Sequence, residues 1–491
     1  MAEYVPLQNV ENDEFEISAA AAAATNNEFN SDTPRWALDP EKQPTSRRTL
    51  WKQHLSSALI TALPRYIRPG GLRHRDIGPT SYLDALRGYA AFNVFIFHIF
   101  GTNNQNDWQH QPILNLLFAG RGMVALFFVI SGYALGNRLL ILTRQGDTER
   151  LLNALASSTF RRYFRLYLSS VVACMIALVL VRLRFWNGMQ GGCWRDGLFA
   201  QIVDFLGDMR TFVNPIPRYM TGRVDDNFFH TKYLSQLWTI PVEYRGSIAL
   251  FVFVLATCKM STRNRMVSTW VMIVGFYTWE DVYAAEFLAG LFIADLALSR
   301  HPERWDKQTM TAATPAREES ALLSLSRSTL AKIGYSCLLF TGLFLLGQPQ
   351  SGNNLGFLGS FPWGFLHRIR PWWWDGNAWS LFWLGFGAFA TVLALDSWPA
   401  LQKPFHWRVS QYLGDLSFGL YAMHPCFGYP MKNLVGEPFR KKYLGNSNSW
   451  WAYIPEVFMI FVVVFTAADY FERIDRKCVA FARWLQQKLF R

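Results

Sequence analysis

Apolar blocks long enough to cross a bilayer recur along the chain, and polar, basic or Gly- and Pro-rich stretches separate them. A transmembrane helix needs about 20 mainly apolar residues, because an α-helix rises only 1.5 Å per residue. The pattern predicts an all-α, polytopic membrane protein with about ten transmembrane helices. The predicted spans are 82–102, 117–137, 167–183, 239–258, 266–279, 283–299, 331–347, 378–396, 411–430 and 452–470.

The basic residues between these blocks predict the orientation. Most of the 48 Lys and Arg residues fall in alternate connections, such as 138–165 and 300–332, and before the first block. Cytosolic loops carry such an excess, so both termini are predicted to be cytosolic. Of the longer connections, 184–236 and 348–377 are rich in aromatic residues, Gly and Pro, and we expect them to be structured.

The chain divides into four predicted segments. Residues 1–50 are acidic, then Ala-rich, then polar, which predicts a disordered cytosolic tail without a cleaved signal peptide. Residues 51–80 form a basic, mildly amphipathic segment suited to the membrane surface. The transmembrane domain occupies 81–472, and 473–491 is a predicted cytosolic C-terminal tail.

Composition excludes several classes of protein. The chain is 51% hydrophobic and 16% aromatic, as bilayer-facing helices require. Its net charge of +12 lies mostly beside the apolar blocks, so it indicates membrane topology and not nucleic-acid binding. The six cysteines are scattered without a CxxC pair, which predicts neither a disulfide framework nor a zinc site.

Two of the nine histidines, His98 and His424, lie inside apolar blocks. An ionisable side chain at bilayer depth usually faces a polar interior and marks function. Arg87 precedes His98 by three helical turns, so both project from one helix face about 16 Å apart. An arginine at the cytosolic mouth fits a phosphate, and a neutral buried histidine fits proton transfer. Alternatively, Arg87 anchors the helix and His98 is a packing residue.

Three further charged residues fit this scheme. Arg162 and Arg165 share one helix face before the third block, where they suit an anionic group or serve only topology. Glu243 is predicted near the non-cytosolic end of its span, where it could orient His98, pair with Arg245 or cap a helix. His424 could be a second proton-transfer group or a structural hydrogen-bonding residue.

Five motifs, in order, resemble the acyltransferase 3 family of membrane O-acyltransferases. The first is the family's Arg-x10-His helix, and the others are its FFxxSG, RxxR, LWSLxVE and Tyr-xx-His-Pro patterns. In this chain they read YLDALRGYAAFNVFIFHIF (82–100), GMVALFFVISG (122–132), RRYFRLY (161–167), LWTIPVE (237–243) and LSFGLYAMHP (416–425).

The resemblance implies transfer of an acyl group, usually acetyl from acetyl-CoA or another acyl-CoA, to a hydroxyl. Arg87 and His98 fall on the family's essential pair, and Arg162 and Arg165 on its RxxR; with Arg87 these would hold the CoA phosphates. The acyl-CoA is a co-substrate, so no metal and no permanently bound cofactor is expected. Thr239 and Pro241 depart from the family pattern, which leaves the acceptor side open.

The residues of these motifs resemble those of fungal family members without the esterase-like domain that many bacterial members carry in addition. For such a member we expect a small lipophilic or specialised metabolite as acceptor; a glycan or a lipid is the alternative. A proton-coupled transporter that uses Arg87 and His98 as a relay is the alternative of another class. The membrane is predicted to be the endoplasmic reticulum or the plasma membrane.

Overall fold

The computed structural model of the protein describes residues 60–72, 77–101, 111, 113–189, 191–215, 230–302, 321–348, 361–374, 381–444 and 450–490. The predicted disordered tail, 1–50, lies outside the described residues. In the described part all regular elements are helical. The main helices are α1 (Ser81–Ile96), α2 (Gly120–Gln145), α3 (Thr148–Arg182), α4 (Leu198–Phe212), α5 (Thr239–Thr257), α6 (Thr262–Thr278), α7 (Val282–Arg300), α8 (Ala321–Leu346), α9 (Trp363–Arg368), α10 (Phe382–Ser397), α11 (Arg408–Asp415), α12 (Ser417–Pro430), α13 (Glu437–Tyr443) and α14 (Ile454–Leu489).

Six helical stretches of the described residues are long and apolar enough to cross a bilayer. A seventh results if α10 and the 3-10 helix Pro399–His406, bent by 97°, count as one span. Each of the ten predicted blocks overlaps a helix, and the all-α polytopic class is confirmed. The number ten and the cytosolic termini stay predictions. The six stretches are Gly120–Gln145, Thr148–Arg182, Ser235–Thr257, Val282–Arg300, Thr329–Leu346 and Trp451–Leu489.

Two helices are much longer than their apolar blocks. Helix α3 has 35 residues, and the predicted span 167–183 is only its second half. Asp147 caps its start by accepting a hydrogen bond from the Arg150 N–H. Helix α14 has 36 residues and continues to Leu489 through most of the predicted tail, 473–491. Charged residues on these extensions hid them from the hydrophobic pattern.

Glycines allow α2 and α7 to pack backbone against backbone. A Cβ atom on Gly132 would lie 2.0 Å from the Phe287 carbonyl oxygen, and one on Gly290 would lie 2.0 Å from that of Val129. Small residues permit such close approach of membrane helices, whose association depends on packing because lipid is as apolar as a side chain. This contact forms the centre of the helix bundle.

Helix α1 packs against α2, α11 and α12, while α14 packs against both α12 and α3, and α3 packs against α5. These helices surround the buried face of α1. Helix α10 packs against α2, α7 and α8, and α6 packs against α7. The site described below therefore lies on the side of the bundle that holds α1, α3, α5, α12 and α14.

The described part of the predicted segment 51–80 is tied to this bundle by Arg65. Its guanidinium is 2.8 Å from the Asp469 carboxylate and 3.1 Å from that of Asp415, and Glu472 lies at 3.5 Å. Asp469 is fully buried. One arginine thus compensates carboxylates of two elements, α14 and α11, and fixes the chain just before α1.

Candidate active site

His98 and His424 stack against each other, with ring centroids 5.2 Å apart and planes inclined by 24°. His424 is fully buried, and its Nδ1 lies 3.0 Å from the Leu420 carbonyl oxygen. A carbonyl only accepts, so neutral His424 carries its proton on Nδ1 and a lone pair on Nε2. That Nε2 is buried and has no hydrogen-bond partner within the described residues. It is free to accept a proton.

The backbone that carries His98 is a π turn, Phe97–Gly101, at the end of α1. The Tyr429 hydroxyl donates to the His98 carbonyl oxygen at 2.7 Å, and Lys432 Nζ donates to that of Ile99 at 2.6 Å. These bonds satisfy carbonyls that a regular α-helix would use internally. Such turns are frequent at functional sites. The sequence analysis assumed a regular helix to residue 102 and missed this turn.

Arg162 of α3 and Glu243 of α5 form a buried ion pair. Arg162 NH2 lies 2.7 Å from Glu243 Oε1, and the two side chains are 8% and 22% exposed. Arg162 Nε donates to Ser247 Oγ at 2.9 Å, and the Ser131 hydroxyl donates to Glu243 at 3.3 Å. The pair therefore joins α2, α3 and α5.

This ion pair changes the surroundings expected for both residues. Glu243 does not pair with Arg245, whose Nε instead donates to the Pro215 carbonyl oxygen at 3.1 Å. That alternative is wrong. The roles of Glu243 in orienting His98 and of Arg162 in phosphate binding stay predictions. In the structure, Glu243 and Arg162 instead pair with each other.

Arg162 and Glu243 lie at the same depth, whereas the sequence analysis placed them near opposite faces of the membrane. Lys259 Nζ donates to Thr148 Oγ1 at 2.8 Å, so the end of α5 and the start of α3 are level. Arg162 lies roughly 21 Å and Glu243 roughly 24 Å from that level, from the helical rise. The prediction that Arg162 and Glu243 lie near opposite membrane faces was wrong. Helix α3 begins at Thr148, well before its apolar block, so Arg162 lies far from the start of the helix.

Arg87 and Arg165 lie near this pair. Both are within electrostatic range of Arg162, and both are within range of Asp475 on α14, which accepts a hydrogen bond from Ser169 at 2.5 Å. Arg165 is exposed and Arg87 is half-buried. We call Arg87, Arg162 and Arg165 the arginine cluster. Asp475 was missed, since it follows the last apolar block and no motif marks it.

Tyr421 lies between the ion pair and the histidines. Its hydroxyl is 2.7 Å from Thr239 Oγ1 and also donates to the Gln236 carbonyl, and its ring centroid is 6.3 Å from that of His424. Thr239 is one helical turn from Glu243. A row of polar side chains thus runs from the arginine cluster to the histidine pair. The sequence analysis quoted Tyr421 within a motif but gave it no role.

A cavity of about 550 Å³ lies beside the π turn of α1, on the side predicted to be non-cytosolic. Tyr429, which bonds the His98 backbone, forms part of its wall and stacks on Trp186 at 6.2 Å. Arg184 adopts a φ of 63°, and its guanidinium lies 3.3 Å from the centroid of the Trp194 ring. Such a volume suits a small organic molecule. Further lining residues are Asn187 and Asn433.

The family profile described as an acyltransferase domain, that of the acyltransferase 3 family, matches residues 80–473. This range covers most of the chain and every residue of the site except Asp475, which lies two residues beyond it. The chain belongs to the acyltransferase 3 family. It is therefore an acyltransferase, and its long apolar helices make it an integral membrane protein.

Curated relatives of this acyltransferase come from fungi. O-acetyltransferase PaAT-1 of Phomopsis amygdali is 27% identical over 464 residues, which cover 87% of this chain and 89% of that protein. Acyltransferase R4 of a Phoma species is 25% identical over 410 residues, 72% of this chain and 83% of that protein. Acyltransferase clz18 of Cochliobolus lunatus is 22% identical over 410 residues, 71% and 82% respectively. No solved structure matches the chain.

Proposed function

We propose that this acyltransferase moves an acetyl group from acetyl-CoA to a hydroxyl of a small lipophilic metabolite. One observation carries the proposal: a row of polar side chains joins the arginine cluster to the stacked pair His98 and His424. Guanidinium groups suit the phosphates of CoA, and a neutral buried imidazole suits proton transfer. Similarity to the O-acetyltransferase PaAT-1 supports acetyl as the group transferred.

In the proposed reaction the CoA phosphates bind at Arg87 and Arg165 from the cytosol, and Arg162 supports that end. The thioester reaches inward along the face of α1 by about 16 Å, the axial distance from Arg87 to His98. His98 takes the proton of the acceptor hydroxyl, whose oxygen attacks the thioester carbonyl. The C–S bond then breaks, and the CoA sulfur leaves with the proton that His98 returns.

His424 would share this proton work. Its Nε2 is the unsatisfied nitrogen, and stacking on His98 places a second base beside the first. A route in which His98 itself carries the acetyl group for one step uses the same residues, with His424 then taking the acceptor proton. Both routes require the acceptor hydroxyl to reach the end of α1.

The cavity beside Tyr429 is the proposed acceptor site. Its tryptophan rings suit an apolar molecule, while Asn187, Asn433 and Arg184 offer hydrogen bonds that would orient one hydroxyl. A glycan or lipid acceptor is the alternative. The endoplasmic reticulum and the plasma membrane both suit an enzyme that takes acetyl-CoA from the cytosol.

The proposal is tested in membranes that contain the protein, with radiolabelled acetyl-CoA and a small-molecule extract of the source cells as acceptor. We expect a labelled product from the wild type and none from His98→Ala, at equal amounts of protein in the membrane. His367→Ala is the matched control, because His367 is exposed and belongs to no part of the site. It should transfer label normally.

Near-normal transfer by His98→Ala would contradict the mechanism. Uptake or release of a compound without any labelled product would support the transporter instead. Comparison of metabolites from cells with and without the gene then identifies the acceptor, as a compound that gains the mass of one acetyl group only when the gene is present.

A further inference from the structure

A second cavity, of about 250 Å³, lies between α6, α7, α10 and the segment that follows α9. No residue of the arginine cluster, the polar row or the histidine pair lines it. Its walls are mainly aromatic, and one wall residue, Glu286, is acidic. The aromatic lining residues are Trp270, Tyr277, Trp373, Trp374, Phe382, Phe386 and Phe389.

Glu286 is an isolated acid in these surroundings. Its side chain belongs to α7 and is only 2% exposed, and its Oε2 is buried without a hydrogen-bond partner in the part of the chain that the structure describes. A lone carboxylate in an apolar site is unfavourable by several kcal/mol. Such a group either takes up a proton or binds a cation that compensates its charge.

Glycine at residue 385 lets the Tyr277 hydroxyl and the Glu286 carboxyl group approach the backbone of α10 closely. A Cβ atom at Gly385 would lie 3.3 Å from Glu286 Oε1 and 2.2 Å from the Tyr277 hydroxyl oxygen. The tyrosine hydroxyl itself donates to the Phe382 carbonyl oxygen at 3.3 Å. Glu286 thus lines the cavity together with the aromatic rings, and its carboxyl group has almost no surface left accessible to water.

The mouth of this cavity is on the outer surface of the bundle. Trp270 and Val274 of α6 and Phe386 of α10 are exposed, although the helices that carry them are apolar. Apolar side chains on the outside of a membrane-embedded bundle face lipid. A ligand therefore enters from the bilayer, and must be lipophilic.

We propose that this cavity binds a single-chain lipophilic amine as its ammonium ion, with Glu286 as counter-ion. Aromatic ring faces attract a cation within about 6 Å, and the attraction grows where water is excluded. A carboxylate adds a charge-assisted hydrogen bond from the ammonium N–H. An alcohol of the same length would gain neither electrostatic term. Seven rings and one unpartnered acid thus favour a cation over a neutral ligand.

The test uses the whole purified protein in lipid nanodiscs and a photoreactive alkylamine of octyl length. After irradiation, mass spectrometry locates the labelled peptides, and octylamine or octanol is added as competitor. We expect saturable labelling of α6, α7 or α10, and octylamine should compete roughly tenfold or more better than octanol, the ratio expected for one charge-assisted contact. Equal competition by the alcohol would overturn the proposal.

Three variants sharpen this test. Glu286→Gln keeps the shape but removes the charge, so the preference for the amine should disappear. Gly385→Ala keeps the charge but its methyl group would displace the Tyr277 hydroxyl, and Tyr277 lines the cavity, so labelling of these helices should fall for any ligand. Asp281→Asn is the matched control: it removes an exposed acid five residues away that does not line the cavity, and should label as the wild type does.

A Glu286→Gln protein that still prefers octylamine would contradict the counter-ion role. The competition on the wild-type protein decides the proposal even if a variant fails to fold. None of these results depends on acyl transfer, so the proposal stands or falls separately from the proposed function.

Discussion

The ion pair of Arg162 and Glu243 can be removed in two ways that have opposite consequences for stability. Two unit charges 2.7 Å apart attract by about 6 kcal/mol at an effective dielectric constant of about 20, before the loss of hydration is subtracted. Breaking a buried pair by replacing one partner usually costs about 3–5 kcal/mol, because the other charge stays buried. Replacing both partners with apolar residues of similar size is often neutral.

Glu243→Met should therefore destabilise the protein by about 3 kcal/mol, the lower part of that range. The lower part applies because Glu243 keeps 22% exposure, and Arg162 keeps its hydrogen bond to Ser247. The double variant, Arg162→Met with Glu243→Met, should recover most of this loss. Unfolding is followed by tryptophan fluorescence of the protein in detergent, with Lys441→Met as the control for an exposed pair.

Activity measurements on the same variants separate a structural role of the ion pair from a role in the reaction. If the pair serves the reaction, the double variant folds like the wild type but transfers acetyl slowly or not at all. Full activity of the double variant would refute a catalytic or positioning role for Glu243. An unchanged unfolding midpoint for Glu243→Met would refute the ion-pair argument itself, because a buried arginine would then have lost its counter-ion without effect.

Three further predictions follow from the same contacts. If Arg165 holds a CoA phosphate as proposed, its exposed guanidinium would bind the ground state and the transition state alike, so Arg165→Ala should raise the KM for acetyl-CoA about tenfold with little change in kcat. Arg150→Ala should leave both constants unchanged in steady-state assays. Gly290→Ala should prevent α2 and α7 from packing, and the protein should then lose its monodisperse peak in size-exclusion chromatography. Gly207→Ala should keep that peak, because nothing lies within 4 Å of the new methyl group. Arg65→Ala should cost about 1.5–3 kcal/mol in the same unfolding assay, because the buried Asp469 loses a charge-assisted hydrogen bond while Arg473 still pairs with Asp469 and Arg476 with Glu472; a change below about 1 kcal/mol would contradict this.

The fold class could be predicted because every transmembrane helix needs about 20 mainly apolar residues to cross the bilayer. Ten apolar blocks were identified, and each overlaps a helix. Helix lengths were not predictable, since the first half of α3 and the second half of α14 are charged on one side and packed against protein on the other. Leu151, Ala154 and Leu155, for example, are buried within a stretch whose average is polar. Average hydropathy does not detect a helix when only one of its faces packs against apolar neighbours.

In the site, a sequence pattern could relate only residues of one helix, and the shared face of Arg87 and His98 stays a prediction. The spacing of Arg87 and His98 lies within one helix, so a helical period relates them directly. The contacts between His98 and His424, and between Arg162 and Glu243, join residues far apart in sequence. No local pattern encodes such pairs. Tyr421 and Asp475 likewise acquire a role only when α12, α5, α3 and α14 come together.

The proposed phosphate site requires positive charge, whereas proton uptake by His98 is opposed by positive charge nearby. Carboxylates beside the arginine cluster reduce this conflict. In the proposed reaction the three arginines bind the CoA phosphates, but each also opposes a positive charge on His98 during the proposed proton transfer. At about 16 Å, the axial separation of Arg87 and His98, and an effective dielectric constant of about 20, one arginine opposes that charge by about 1 kcal/mol; if the other two arginines lie at a similar distance, all three oppose it by about 3 kcal/mol. Glu243 and Asp475 lie beside the arginine cluster and reduce the net charge there from three to one. The opposing field at His98 then falls to about 1 kcal/mol, which leaves the imidazole usable as a base. In the proposed reaction Glu243 would therefore assist His98 without contacting it, through the charge of Arg162 that it neutralises.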